Sequence, residues 1–237
     1  MSAATTMRRR LAALDWTSVA ASLDARGVAT FPLLAPGECA GVAALWDDAR
    51  RFRSTIDMGR HRFGAGVYRY FAAPLPPLVA ALRTHAYAHL APLANAWATR
   101  LGGPSFPADL DGFLARCAAA GQTKPTPLLL RYEAGGYNCL HQDLYGDVAF
   151  PLQLVCLLSR PGGDFDGGEL VLVEQRPRAQ SRPHVVPLAQ GEAAVFPNRW
   201  RPVRGARGDR RVVLRHGVAE IRRGERLTLG VIFHDAA

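Results

Sequence analysis

Lysine is almost missing from this 237-residue chain: Lys124 is the only one, so the net charge of +9 is carried by arginine. A basic balance supports solubility and anion binding but says little about fold, and an arginine bias also follows genomic base composition. Cysteine is scarce too. Cys39, Cys117, Cys139 and Cys156 show no C-x-x-C spacing and are too few to staple a chain of this length, which excludes a disulfide scaffold and points to free thiols. No apolar run approaches the roughly 18 to 20 residues that span a bilayer; the longest, near Pro151 to Leu158, is far shorter. Arg8, Arg9 and Arg10 precede apolar residues as in a secretory n-region, but Asp15 interrupts that stretch at once. A cytoplasmic protein without a membrane partner is expected. With 49% hydrophobic and 21% charged residues, the composition excludes disorder along the whole chain and can fill one core, so a single domain over 1–237 is expected.

Helical signals dominate the first half. Asp15 stands at a capping position before Trp16, Val19, Ala20 and Leu23 on one face, with Gly27 at the stop. Val28 to Leu34 reads as a strand, and Pro36 opens a second helix striped by Val42, Leu45, Trp46 and Ala49. Pro77 to Leu101 reads as a long helix, and Pro104 to Gln122 as a long loop inside the domain. From Pro127 the texture turns to short apolar or β-branched runs separated by Gly, Pro and Asp: Leu128 to Tyr132, Phe150 to Leu158, Glu169 to Glu174, Val185 to Pro187, Ala193 to Phe196, Arg211 to Leu214 and Leu227 to Phe233. Residues 1–126 are thus expected to be mainly helical support for a β core at 127–237, an α+β arrangement with the helices on one face.

His141-Gln142-Asp143 puts two good ligands one residue apart, on the same face of an extended strand. Alone, H-x-D is unspecific, since such pairs also cap turns. His216, following the Arg211 to Leu214 run, would complete two imidazoles and one carboxylate. That set leaves three positions of an octahedron open and suits non-haem Fe(II). On the last strand Arg226, Thr228 and Gly230 alternate with Leu227, Leu229, Val231 and Phe233. An inward-facing arginine and threonine would be costly unless an anion met them, and a carboxylate would satisfy both. The bland alternative is a solvated face.

In order and spacing, Arg131 to Asn138 ahead of the H-x-D, Gly167-Gly168-Glu169-Leu170, Gly191 through Pro197, His216-Gly217-Val218 and Gly224 to Leu229 resemble the 2-oxoglutarate and Fe(II)-dependent dioxygenase superfamily, in particular its prolyl-hydroxylase-like branch. The resemblance spans about Leu128 to Asp235 and rests on the series, since no single piece is specific. It implies a double-stranded β-helix (jelly-roll) core, with Fe(II) held by His141, Asp143 and His216. It implies 2-oxoglutarate as co-substrate, its distal carboxylate on Arg226 with Thr228 and Tyr132 adding hydrogen bonds, Tyr137 being able to exchange roles with Tyr132. Dioxygen is the oxidant, succinate and CO2 are released, and the prime substrate is hydroxylated. Asp143 argues against the halogenating relatives, which lack that carboxylate.

The resemblance leaves the prime substrate open, with a small molecule or protein side chain preferred. Two alternatives stand: an oxidative demethylase of alkylated nucleic acid, or a non-catalytic jelly-roll sensor or binding module. The first is prompted by Arg199, Arg201, Arg204, Arg207, Arg210 and Arg211 around Trp200, a pattern that can track a phosphate backbone and stack a base but reads first as an exposed, solvated loop. Pocket walls are expected from the N-terminal helices and loops, including Arg60 to Tyr70. His85 and His89 lack a third ligand, Asp164, Asp166 and Glu169 lack calcium-loop spacing, His184 stands alone, and His234 beside Asp235 suggests a terminal ion pair.

Overall fold

The computed structural model describes residues 2–176, 178–206 and 208–237. Ser2 caps helix α1 (Ala3–Ala12), which buries Met7 and Leu11. Asp15 caps α2 (Trp16–Arg26) by accepting from the Thr17 and Ser18 amides, and Gly27 ends it in the left-handed region at φ 74°. Proline opens both α3 (Pro36–Ala43) and α4 (Pro77–Leu101), where its missing N–H costs no helical bond. The stretch expected as a loop holds a further helix, α5 (Leu110–Ala119). Its flanking Gly and Pro hide a complete signal: Asp109 accepts from the Gly112 amide, while Leu110, Phe113 and Cys117 recur on one buried stripe.

Fourteen strands follow one another among the described residues: β1 (Ala29–Pro32), β2 (Phe52–Asp57), β3 (Gly64–Ala65), β4 (Val67–Phe71), β5 (Leu128–Glu133), β6 (Tyr137–His141), β7 (Leu152–Leu157), β8 (Phe165–Gly167), β9 (Leu170–Gln175), β10 (Arg182–Val186), β11 (Glu192–Pro197), β12 (Trp200–Gly205), β13 (Gly208–Val218) and β14 (Ile221–Ile232). They build two antiparallel sheets, one ordered β1-β11-β7-β14-β5-β4-β2 with β8 on β14, the other β10-β9-β13-β6-β3 with β12 on β13. This is the jelly-roll core with helices on one outer face. β1 lies within the strand expected at Val28 to Leu34, but the N-terminal half is still less purely helical than its sequence suggests, because β2 and β4 also extend the larger sheet and β3 joins the smaller. β2, β3 and β4 are short, and half-buried Arg53, Ser54 and Arg69 interrupt any clean period-2 signal; backbone pairing of β2 to β4, β4 to β5 and β3 to β6 holds them.

Two apolar layers sit either side of the larger sheet. Leu227, Leu229, Val231 and Phe233 of β14 and its end join Leu82, Tyr87 and Leu90 of α4. Between the sheets lie Tyr132, Leu157, Leu172, Phe196 and Leu214. The alternate residues of β14, Arg226, Thr228, Gly230 and Ile232, line a cavity of about 360 Å³ between the sheets. The arginine-rich stretch keeps Arg199, Arg204, Arg210 and Arg211 exposed, as expected, but it is not a loop. It is the β12–β13 hairpin, with Pro202 opposite Arg211 and Arg204 opposite Asp209. Arg201 is only 2% exposed and pairs with Glu174, 1% exposed, at 2.6 Å. Arg207 of that stretch lies outside the described residues.

Candidate metal centre

β13 and β6 pair so that His216 stands directly opposite His141, which puts both imidazoles on the inner face of the smaller sheet. The close approach needs glycine next door: a Cβ on Gly217 would lie 2.6 Å from the Asn138 carbonyl oxygen. β6 ends at His141, and Asp143 follows in irregular chain rather than in the extended strand its spacing implies. The Gln142 amide donates to the Leu214 carbonyl at 2.9 Å and to that of Arg199 at 3.4 Å, which turns the chain so that Asp143 still faces both rings. His216 Nε2 lies 3.1 Å from Asp143 Oδ2, and His141 Nε2 lies 3.6 Å from Asp143 Oδ1. One ligand atom from each residue falls within 4.8 Å of the others, close enough for a single ion to take all three.

The protonation states fit a cation. His141 Nδ1 lies 2.8 Å from the Cys139 carbonyl oxygen; with the proton on Nδ1, the Nε2 lone pair is free toward Asp143 and a metal. Burial holds the His216 imidazole below its ordinary range, and nearby His141 adds to this. Burial alone would raise the Asp143 carboxyl, but the His216 and His141 rings and the hydrogen bond from Tyr145 outweigh it and keep it well below the carboxylate range. The Tyr145 hydroxyl donates to Asp143 Oδ1 at 2.7 Å. Sequence reasoning missed Tyr145, because an aromatic two residues past H-x-D carries no spacing rule until the chain turns there. Replacing Tyr145 by Phe is expected to weaken metal affinity about 10- to 100-fold, the range for a lost outer-sphere hydrogen bond, as titration with Fe(II) under nitrogen would measure.

Arg226 lies at the inner end of the same cavity, 2% exposed, with its Nε buried and without a hydrogen-bond partner. No carboxylate pairs with it among the described residues. Burial lowers its guanidinium to about 10, so it remains a cation at neutral pH. The Asn138 amide donates to the Tyr132 hydroxyl oxygen at 3.3 Å, which leaves the phenol proton free for another acceptor. Thr228 and Tyr132 line the cavity with Arg226, whereas Tyr137 is 43% exposed and does not. Gly168, at φ +64°, packs on this arginine: a Cβ there would lie 2.8 Å from Arg226 Cδ and 2.2 Å from Ile221 Cδ1.

The remaining candidates do other things. His89 stacks on Trp16 with centroids 4.8 Å apart. Asp164 pairs with Arg160 and Asp166 with Arg223, so these carboxylates are committed to ion pairs. His234 forms no terminal ion pair: it is fully buried, and burial lowers it to about 4, while Asp235 pairs with Arg83 at 2.7 Å. Cys39, Cys117 and Cys156 are buried and Cys139 exposed, all as free thiols. No helix among the described residues is long and apolar enough to cross a membrane.

A family model described as an oxygenase catalysing oxidative methylation of damaged DNA matches residues 66–236. An uncharacterized protein of Mycobacterium tuberculosis is 50% identical over 168 residues, which are 70% of this chain and 72% of that one. Among solved structures, a prolyl-4-hydroxylase of Pseudomonas putida superposes with a TM-score of 0.54 at 18% identity, over 94% of this chain and 100% of the other. A Trichoplax adhaerens prolyl hydroxylase, in complex with a hypoxia inducible factor peptide fragment, gives 0.56 at 14% identity over 98% and 93%. A 2OG-Fe(II) oxygenase family oxidoreductase of Burkholderia pseudomallei gives 0.52 at 23% identity over 95% and 94%. These structural likenesses are likenesses of fold.

Proposed function

The chain belongs to this oxygenase family, and from that premise we propose that it is a 2-oxoglutarate-dependent Fe(II) dioxygenase, with His141, Asp143 and His216 as metal ligands and Arg226 as the anchor for the co-substrate. One observation carries the reading. A cation buried without a carboxylate partner and a three-ligand cluster share one cavity of about 360 Å³. An unpaired buried guanidinium is costly, and a dicarboxylate that reaches both the metal and Arg226 removes that cost.

With Fe(II), 2-oxoglutarate and dioxygen bound, the site supplies a two-electron oxidation in which the co-substrate leaves as succinate and CO2. The side chains orient and exclude. Cys139 fixes the His141 ring through its carbonyl, Tyr145 holds one oxygen of Asp143, and Arg226 receives the distal carboxylate with Thr228 and the Tyr132 hydroxyl beside it. Leu128, Leu130 and Val155 give the cavity apolar walls that keep water from the reacting centre. In this reading residues 1–237 act as one oxygenase domain.

For the prime substrate, a base in damaged nucleic acid takes precedence over a small molecule or protein side chain. The family description names damaged DNA, and Arg199 and Arg211 lie over the Trp200 ring in the groove beside the metal cavity. Alkylated oligonucleotides are therefore the first substrates to offer.

Adding Fe(II) and then 2-oxoglutarate to the purified protein without oxygen is expected to produce a weak visible charge-transfer band that is absent in His216→Ala. A wild-type protein that never develops the band would remove the oxygenase reading and leave a binding module. A second expectation concerns Gly168. In Gly168→Ala the new methyl displaces the Arg226 stem, so the KM for 2-oxoglutarate is expected to rise about tenfold or more while Fe(II) affinity stays unchanged; steady-state kinetics and metal titration read the two separately.

A further inference from the structure

A second groove, of about 490 Å³, lies beside the metal cavity, walled by α4, α5 and the β12–β13 hairpin. The chain following Asp143 separates the two: Asp143 and Tyr145 line the metal cavity, Leu144, Gly146 and Asp147 the groove. Its floor is apolar, with Trp97, Phe106, Phe113 and Phe150. At its lip, the Arg199 and Arg211 guanidinium carbons lie 4.0 Å and 5.2 Å from the centroid of the half-buried Trp200 ring. Neither arginine has an ion-pair partner among the described residues. With Arg116, three arginines line the groove against one carboxylate, Asp147.

We propose that this groove holds the nucleotide adjacent to the one entering the metal cavity when a single strand of nucleic acid is bound, its base among the aromatic side chains and its phosphates on Arg199 and Arg211. The proposal rests on the nucleic-acid reading of the substrate given above and assigns the surface that reads it. Arginine stacked on an aromatic face keeps its N–H edge outward, which is the geometry a phosphate needs. An aromatic-floored slot suits an unstacked base, which a single strand offers and an intact duplex does not. The Gln142 amide, on both the Arg199 and Leu214 carbonyls, ties the hairpin to the metal-binding segment, so a strand held at the lip has a defined position relative to His141 and Asp143.

The test is fluorescence anisotropy of the full chain with a labelled thymidine oligonucleotide of roughly eight residues, its RNA counterpart and an acidic peptide of equal charge, over a range of salt. Wild type is expected to bind the strands and not the peptide, the tighter of DNA and RNA identifying the source. Arg199→Ala with Arg211→Ala should weaken binding at least tenfold and flatten the log–log salt slope by about 1.4, two phosphate contacts at about 0.7 each. Trp200→Leu should weaken it about tenfold with the slope unchanged. Each variant should still consume 2-oxoglutarate without prime substrate as wild type does. If the exposed arginine variants bind like wild type, or the peptide binds as well as the strands, the groove assignment is overturned while the oxygenase stands. If wild type binds no strand at low salt yet consumes 2-oxoglutarate, the nucleic-acid reading falls with it; loss of 2-oxoglutarate consumption by wild type would instead count against the oxygenase itself.

Discussion

Arg226→Ala is expected to raise the 2-oxoglutarate concentration for half-maximal turnover by at least thirtyfold, from the roughly 2–5 kcal/mol that truncating one partner of a buried charge pair costs. Fe(II) binding should be unaffected, since the guanidinium touches none of the three ligands. A second, opposite effect separates this from general damage. Without co-substrate the wild-type protein buries a cation that lacks a carboxylate partner among the described residues, so Arg226→Met, which keeps much of the volume and removes the charge, should leave the ligand-free protein as stable or more stable. Saturating 2-oxoglutarate should then raise the Tm of wild type and barely move that of the variant. Differential scanning fluorimetry with and without 2-oxoglutarate would show it; equal Tm gains in both proteins would mean that the carboxylate binds elsewhere.

The largest stability effect is expected at Glu174. Arg201 donates to Glu174 from Nε at 3.0 Å and from a terminal nitrogen at 2.6 Å, and it also reaches the Asp24 carbonyl at the end of α2. That arginine locks a helix to the smaller sheet. Glu174→Ala strands the Arg201 charge and should cost about 3–5 kcal/mol. For a chain of this size that is a fall in Tm of about 6–20 °C, measurable by circular dichroism. Replacing Glu174 and Arg201 together with leucine should recover much of the loss, as removing both charges removes the stranded one. Burial raises the Glu174 carboxyl, but hydrogen bonds from Arg176 and Arg201 more than offset this and hold it below its ordinary 4.5. A depressed folded-state value stabilises above the unfolded one, so this contribution is complete above about pH 4.5 and is lost as pH falls through the folded value. The Glu174→Ala protein should accordingly show a shallower loss of stability on acidification than wild type.

Local sequence carried much of the scaffold because local physics decides it. Asp15 and Gly27 bracket a helix by satisfying its end groups, and α4 runs between Pro77 and Leu101 as its apolar pattern predicts. The alternation along β14 likewise placed Leu227, Leu229, Val231 and Phe233 in the core and Arg226 and Thr228 in the cavity. Where reading failed, competing signals were involved. Gly112 and the neighbouring prolines masked α5, whose cap at Asp109 was in plain view. Six arginines in thirteen residues read as a solvated loop, and the chain there pairs instead as a hairpin: Arg199, Arg204, Arg210 and Arg211 are indeed exposed, whereas Arg201 is buried on Glu174 across the sheet.

Residue types and their spacing determined by themselves that this chain carries two imidazoles, a carboxylate and an arginine suited to hold a metal and an anion, on a helix-backed β scaffold. Only the tertiary structure decided that they meet. The pairing of β13 with β6 sets His216 opposite His141, the turn at Gln142 brings Asp143 and Tyr145 round to them, and Gly168 leaves the space in which Arg226 lies. The reason is range: caps and periodicity act over one or two turns of chain, whereas a site shared by residues 75 positions apart, from His141 to His216, exists only once strand register has been chosen.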